Sequence, residues 1–183
     1  MGAAVDRFAH NSFALLAYAT IVRIYDLQPP SFDRSQGLWS FIGFLQSLMM
    51  TFGVTLAVCL IGSRIPDWMD SDRNPGHRGF GHSLPSFALF TIIALLISSQ
   101  FVDQGLAVLY AVAFAAGYIS HLVLDFVTYE GVPWFWPLDE KYSLDLGPTG
   151  GLFVGFLGFL ALVLSIHLLQ DHLFPVAVLL LRA

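Results

Sequence analysis

The stretch GYISHLVLDFVTYEGVPWFWP, residues 117–137, sets a histidine and an aspartate four positions apart in an apolar run and then turns into a loop with two tryptophans. On an α-helix, positions i and i+4 lie on one face about one turn apart, so the His121 imidazole and the Asp125 carboxylate can point at one spot. Such a pair is a two-ligand clamp if that spot holds a metal ion. Followed back to Gly105, the same run is long enough to cross a bilayer, so the two residues raise a question about the whole fold. Ionisable groups in an apolar span are costly and face a partner, a cavity or a metal. Taken alone, the pair is also explained by a hydrogen bond that closes the end of a helix.

The rest of the chain repeats the pattern. Of its 183 residues, 56% are hydrophobic and 11% charged, a membrane composition. The apolar residues fall in runs of roughly 18 to 25 separated by short polar loops, with no strand alternation. Spans are predicted over residues 8–27, 38–62, 84–101, 105–128 and 150–169: an all-α polytopic bundle of about five transmembrane helices forming one domain, 1–183. The first run carries His10, Asn11, Arg23 and Asp26 and reads as a retained helix, stopped by Pro29-Pro30. Ser83 is the predicted N-cap of the third, with Pro85 in its first turn. A final apolar piece, 174–181, is too short to span and is expected to lie along the interface or against the bundle. The net charge of −5 argues against a nucleic-acid surface. A single cysteine, Cys59, excludes an intrachain disulfide and a cysteine zinc site.

Parity then groups the polar residues. If each span crosses once, His10, Asp67, Asp70, Asp72, His77, His82, His121 and Asp125 all lie at one end of the bundle, drawn from segments far apart in sequence. The other end holds Asp26, Asp33, Asp103, His167, Asp171 and His172; His167 and His172 are read as structural. A His and Asp set without thiols suits a divalent metal, zinc by default, with manganese or iron as alternatives. HRGFGHS, residues 77–83, adds two imidazoles and the Arg78 guanidinium on a glycine-rich turn before a helix N-terminus, features that favour a bound phosphate. A solvated turn with a serine cap accounts for Ser83 but not for two histidines. Trp134, Phe135 and Trp136 read as an interfacial aromatic belt.

The blocks Ile65-Pro66-Asp67, HRGFGHS and residues 117–137 resemble the signature blocks of the membrane-bound metal-dependent hydrolases, also called LexA-binding, inner-membrane-associated hydrolases. The resemblance covers residues 65–138 directly. It implies a small helical inner-membrane protein with metal-dependent hydrolase activity, and no particular substrate. The motif positions it carries over are Asp67, His77, Arg78, Gly79, His82, Ser83, His121 and Asp125, with His10 the counterpart of a first-helix histidine. This implies His10, Asp67, His82, His121 and Asp125 as metal ligands, and Arg78, His77 and Asp70 as catalytic groups. Two departures stand out. The usual Asp-x-Asp is here Asp67-Trp68-Met69-Asp70, so Asp70 and Asp72 compete for the second acidic role, and the usual threonine before His82 is Gly81.

The leading expectation is an embedded metal-dependent hydrolase that cleaves a phosphoester of a lipid or lipid-linked substrate at the interface. A metal-ion or proton transporter is the alternative, although it would place ionisable groups nearer the midplane. A membrane-anchored regulatory protein that binds a partner is the third. Arg7, Arg64, Arg73, Arg78 and Lys141 on the site side, against Arg23, Arg34 and Arg182, predict a site facing the cytoplasm.

Overall fold

The computed structural model describes residues 2–30, 35, 37–70, 78–138 and 140–181; His77, Asp72 and Asp33 lie outside the described residues. The chain is all-helical: α1 (Gly2–Ile24), α2 (Gly37–Leu48), α3 (Thr55–Gly62), α4 (Ile65–Met69), α5 (Leu84–Ser98), α6 (Gln104–Val127) and α7 (Leu152–Leu181). A π-helical segment, Met49–Val54, joins α2 to α3, and a 3₁₀ turn, Phe80–His82, precedes α5. Among the described residues no strand occurs, and two isolated bridges pair Thr128 with Gly147 and Val132 with Tyr142.

α6 is the centre of the bundle, with α1, α3 and α5 packed on it and α7 packed on α1. The packing is inside-out relative to a water-soluble protein. Ala9, Ala14, Ala19, Ala107, Ala111 and Ala113 are buried, whereas Trp39, Ile92, Leu96, Phe156 and Phe159 are exposed. In hydrocarbon there is no gain in hiding large apolar groups, and small residues let helices approach closely. The closest approaches are made by glycines against the facing main chain. A Cβ at Gly117 would stand 1.9 Å from the Cys59 carbonyl oxygen, and one at Gly62 would stand 2.2 Å from that of Phe114. α3 and α6 therefore meet backbone to backbone, one turn before the residues that carry Asp67 and His121.

Three helical stretches are long and apolar enough to cross a membrane: Gly37–Gly62, Gln104–Val127 and Leu152–His172. Of the other two expected spans, α1 has the length but carries Asp6, Arg7 and Arg23. α5 is apolar but has only 15 residues, about 22 Å of helix against a hydrocarbon core of ~30 Å. Its start is as predicted: the Ser83 hydroxyl accepts from Ser86 N at 3.3 Å, with Pro85 in the first turn. The Asp103 carboxylate caps α6 in the same way through Leu106 N.

The C-terminal region departs from expectation. The separate short piece at 174–181 is the continuation of α7, which runs unbroken to Leu181. Proline inside a membrane helix is tolerated where its surroundings make up the lost bond, and α7 is held on α1 just before Pro175. There Arg23 Nη1 pairs with Asp171 Oδ2 at 3.1 Å, and His172 Nδ1 donates to the Leu27 carbonyl at 3.1 Å. His172 is thus structural, as read from sequence, and His167 is exposed beside Gln170.

Candidate metal centre

At the opposite end from the Arg23–Asp171 pair, α6 delivers His121 and Asp125 from its last two turns. The loop after it closes that end. Leu144 N and Leu146 N donate to the terminal carbonyls of Phe126 and Val127 at 2.8 and 3.1 Å, satisfying acceptors a helix end leaves open. α4 supplies Asp67, the 3₁₀ turn supplies His82, and α1 supplies His10.

All five expected ligand residues come together. His121 Nε2 lies 3.3 Å from Asp125 Oδ2 and 3.4 Å from Asp67 Oδ1. His82 Nε2 lies 3.2 Å from Asp125 Oδ2, 3.7 Å from Asp67 Oδ1 and 3.3 Å from His121 Nε2. His10 stacks on His121 with ring centroids 4.0 Å apart and brings its Nε2 to 3.5 Å from Asp125 Oδ1. His10, His82, His121 and Asp125 are buried, while the Asp67 side chain is 41% exposed, so the cluster opens past Asp67. Asp125 Oδ2 is buried with two imidazole nitrogens close by, yet it has no hydrogen-bond partner. The nitrogen and oxygen atoms face a shared space rather than one another, and two overlapping three-ligand groups result, His10–His121–Asp125 and Asp67–His82–His121. Orphaned buried oxygen, imidazole and carboxylate donors and the absence of thiol suit a borderline divalent cation.

Two residues expected as catalytic groups, Asp70 and Arg78, are engaged with the protein. Asp70 Oδ2 accepts from His82 Nδ1 at 2.7 Å and from Gly79 N at 2.8 Å, and its Oδ1 accepts from Gly81 N at 3.1 Å. The carboxylate thereby holds a proton on His82 Nδ1 and turns Nε2 into the cluster, the outer-shell arrangement common behind metal-bound histidines. Arg78 is similarly committed. Nη1 donates to the carbonyls of Asp125 and Gly131 and to Thr128 Oγ1, at 3.2, 2.9 and 3.1 Å. Nη2 donates to Asp125 Oδ1 at 2.7 Å and to Thr149 Oγ1 at 3.3 Å. With so many protein acceptors and a side chain only 9% exposed, Arg78 holds Asp125 and the loop after α6 in place.

The helix N-terminus at Ser83 is no freer as an anion site. Leu84 N donates to the Trp134 carbonyl, Ser86 N and Phe87 N to Ser83, and Pro85 has no N–H. Trp134 accordingly braces α5 and packs on Phe126, whereas Phe135 and Trp136 are exposed.

Protonation follows the same contacts. Burial alone would lower the His82 imidazole, but the carboxylates of Asp125, Asp67 and Asp70 outweigh it and push it up to about 10. Burial would raise Asp70, and the His82 imidazole with the Gly79 and Gly81 N–H groups holds it below the usual carboxylate range instead. Asp67 is likewise held well below that range, its burial outweighed by His121 and His82. These are the opposed signs of groups in one charged network.

Several contributors escaped the sequence reading. Asp6 Oδ1 lies 3.4 Å from His10 Nε2, one turn away on α1, and the Asp6-x-x-x-His10 spacing, the mirror of His121-x-x-x-Asp125, was the available signal. Thr128 and Thr149 carry no comparable signal. Gly81 is explained by space: a Cβ there would stand 2.7 Å from the Pro66 carbonyl oxygen and 2.8 Å from Met69 Cβ. A threonine would force α4 away from the turn and unseat Asp67 from His82. The Gly81 carbonyl is held in turn by the buried Tyr118 hydroxyl and by Ser86 Oγ.

A family model for the YdjM inner membrane protein family matches residues 42–182, which include the whole cluster except His10 and Asp6. The chain belongs to that family. No curated protein and no solved structure matches the chain. Membership in the YdjM family, with three helical stretches able to span a bilayer, makes this an integral inner-membrane protein.

Proposed function

We propose that this YdjM-family protein is a metal-dependent hydrolase that cleaves a phosphoester of a lipid or lipid-linked substrate at the membrane interface. The observation that carries the reading is Asp125 Oδ2, a buried oxygen with no hydrogen-bond partner, beside the inward-facing Nε2 atoms of His82 and His121. His10, Asp67, His82, His121 and Asp125 would hold the cation, zinc by default, with manganese or iron compatible with the same donors. A bound divalent cation supplies Lewis acidity toward a phosphoryl oxygen and lowers the pKa of a water. The chain's own groups prepare for that. Asp70 fixes the His82 tautomer, Arg78 occupies Asp125 Oδ1 and leaves Oδ2 for the metal, and the exposure of Asp67 gives substrate and water an approach. The cluster sits in the last turns of α6, towards the end of the apolar stretch Gln104–Val127 rather than at its middle, which favours hydrolysis at the interface over transport through the bilayer. By the arginine distribution the site faces the cytoplasm.

The test pairs elemental analysis with turnover. Purified protein is expected to carry zinc, manganese or iron that His121→Ala loses, and to release phosphate or phosphorylated head group from phosphatidic, prenyl-phosphate or phosphodiester lipids in a chelator-sensitive way. Metal-free wild type after growth and reconstitution in each of the three metals, or metal-driven flux in liposomes without turnover, overturns it.

A further inference from the structure

Because Arg78 and the α5 N-terminus are both engaged with the protein, a phosphate needs another cation, and the opposite flank of the cluster has one. A groove of about 500 Å³ lies between α1 and α3, lined by Asn11 and Leu15 on one side and Leu56, Leu60, Ile61, Arg64 and Trp68 on the other. Its lining follows helical spacing. Leu56, Leu60, Arg64 and Trp68 recur every four residues along α3 and into α4, and Asn11 and Leu15 do so on α1. The groove therefore has a polarity along its length. Its polar end lies at the metal cluster, since Asn11 follows His10 and Trp68 follows Asp67 in the chain. Its apolar end at Leu56 lies eight residues back along the helix, about 12 Å deeper into the span.

Arg64 is partly buried at the polar end, and Asn11 Oδ1 accepts from its Nη2 at 2.7 Å. Among the described residues no carboxylate pairs with it, in contrast to Arg23 and Arg78. A partly buried guanidinium at one end of a groove lined by Leu15, Leu56 and Leu60 is complementary to an anionic amphiphile.

We propose that this groove seats the lipid, with Arg64 and Asn11 holding the phosphate of the head group and one acyl chain lying along Leu15, Leu56 and Leu60. This assignment rests on the hydrolase reading for its relevance to turnover, but it is a statement about binding and can be measured without metal. Chelator-treated protein is reconstituted in nanodiscs of phosphatidylcholine with a trace of fluorescent phosphatidic acid. Arg64→Gln is expected to weaken phosphatidic acid retention about tenfold, the loss of one charged hydrogen-bonding partner. Leu60→Trp, which fills the groove from α3, and Leu15→Trp, which fills it from α1, are expected to weaken it comparably, while the metal content of the same variants purified without chelator stays at the wild-type level. An arginine that merely reaches toward any head group would respond to Arg64→Gln but not to either tryptophan, and that result overturns the proposal. Displacement of the lipid by inorganic phosphate at equal concentration overturns it as well, since it makes the chain irrelevant. Retention lost in the three variants together with wild-type metal content upholds the groove whatever the turnover assay shows. Wild-type retention in the two tryptophan variants sinks the groove and leaves the metal centre standing.

Discussion

Replacing Asp70 by asparagine changes no volume but sets two hydrogen-bonding requirements against each other. Asp70 Oδ2 receives both His82 Nδ1 and Gly79 N, and Oδ1 receives Gly81 N. An amide has one oxygen and one NH₂ group. With the oxygen at the Oδ2 position, the NH₂ meets the Gly81 N–H donor to donor, and an unsatisfied buried group costs about 1–3 kcal/mol. With the oxygen at the Oδ1 position, the NH₂ faces His82 Nδ1, which must then accept, moving the ring proton to Nε2 and removing the lone pair a metal needs. Loss of an outer-shell partner of this kind typically costs 10–100-fold in metal affinity, or about 1.4–2.8 kcal/mol. Competition titration against a chromophoric zinc chelator, in detergent at neutral pH, measures it, with Asp67→Asn as the comparison that removes a proposed ligand atom directly. Asp70→Asn is expected to fall within that range while keeping its helical circular dichroism. Wild-type zinc affinity in Asp70→Asn would refute the tautomer argument.

Other consequences follow from the same geometry. In metal-free protein, His82 has a folded pKa of about 10 against an ordinary value of about 6.5, so its contribution is fully present below the ordinary value and is lost as pH rises through the folded one. Thermal midpoints of chelated protein should therefore drop between neutral and alkaline pH, and a His82→Gln protein with the same slope would contradict this. Gly117→Ala puts a methyl group 1.9 Å from a backbone oxygen and is expected to cost at least about 1–3 kcal/mol of stability, whereas Gly43→Ala, with nothing within 4 Å, should be neutral; equal midpoints would disprove a rigid α3–α6 contact. Single cysteines at Lys141 and Gln100, in a Cys59→Ala background, should label from opposite sides of sealed vesicles, and labelling from one side would break the shared-end topology.

What the sequence made legible was what depends on local periodicity. The His121–Asp125 spacing on a helix, the Ser83 cap with Pro85 behind it, and the gathering of His10, Asp67 and His82 by parity all follow from period and chain direction. What it hid depends on competition for partners. HRGFGHS contains a guanidinium and a helix N-terminus, and nothing in those seven letters says that Asp125, Thr128, Gly131 and Thr149 claim the first or that Trp134 and Ser83 claim the second. Asp70 and Asp67 are three residues apart, and only the approach of the 3₁₀ turn assigns one to the outside of His82 and the other to its Nε2 face. Pro175 carries the ordinary signal of a helix stop, yet α7 continues through it to Leu181.

The backbone contacts at Gly62 and Gly117 have a bearing on how this protein can diverge. Since main chain touches main chain there, the offset between the helix that leads to Asp67 and the helix that carries His121 is fixed by atoms every residue shares. The bulky outward side chains, such as Trp39, Ile92 and Phe159, take no part in setting it. The surface can therefore be rewritten for a thicker, thinner or differently charged bilayer while the spacing of the donor atoms stays as it is. Gly62 and Gly117 are thus sensitive to substitution although they carry no side chain, and a mutational scan scored on side-chain contacts alone would rank both among the least informative in the bundle.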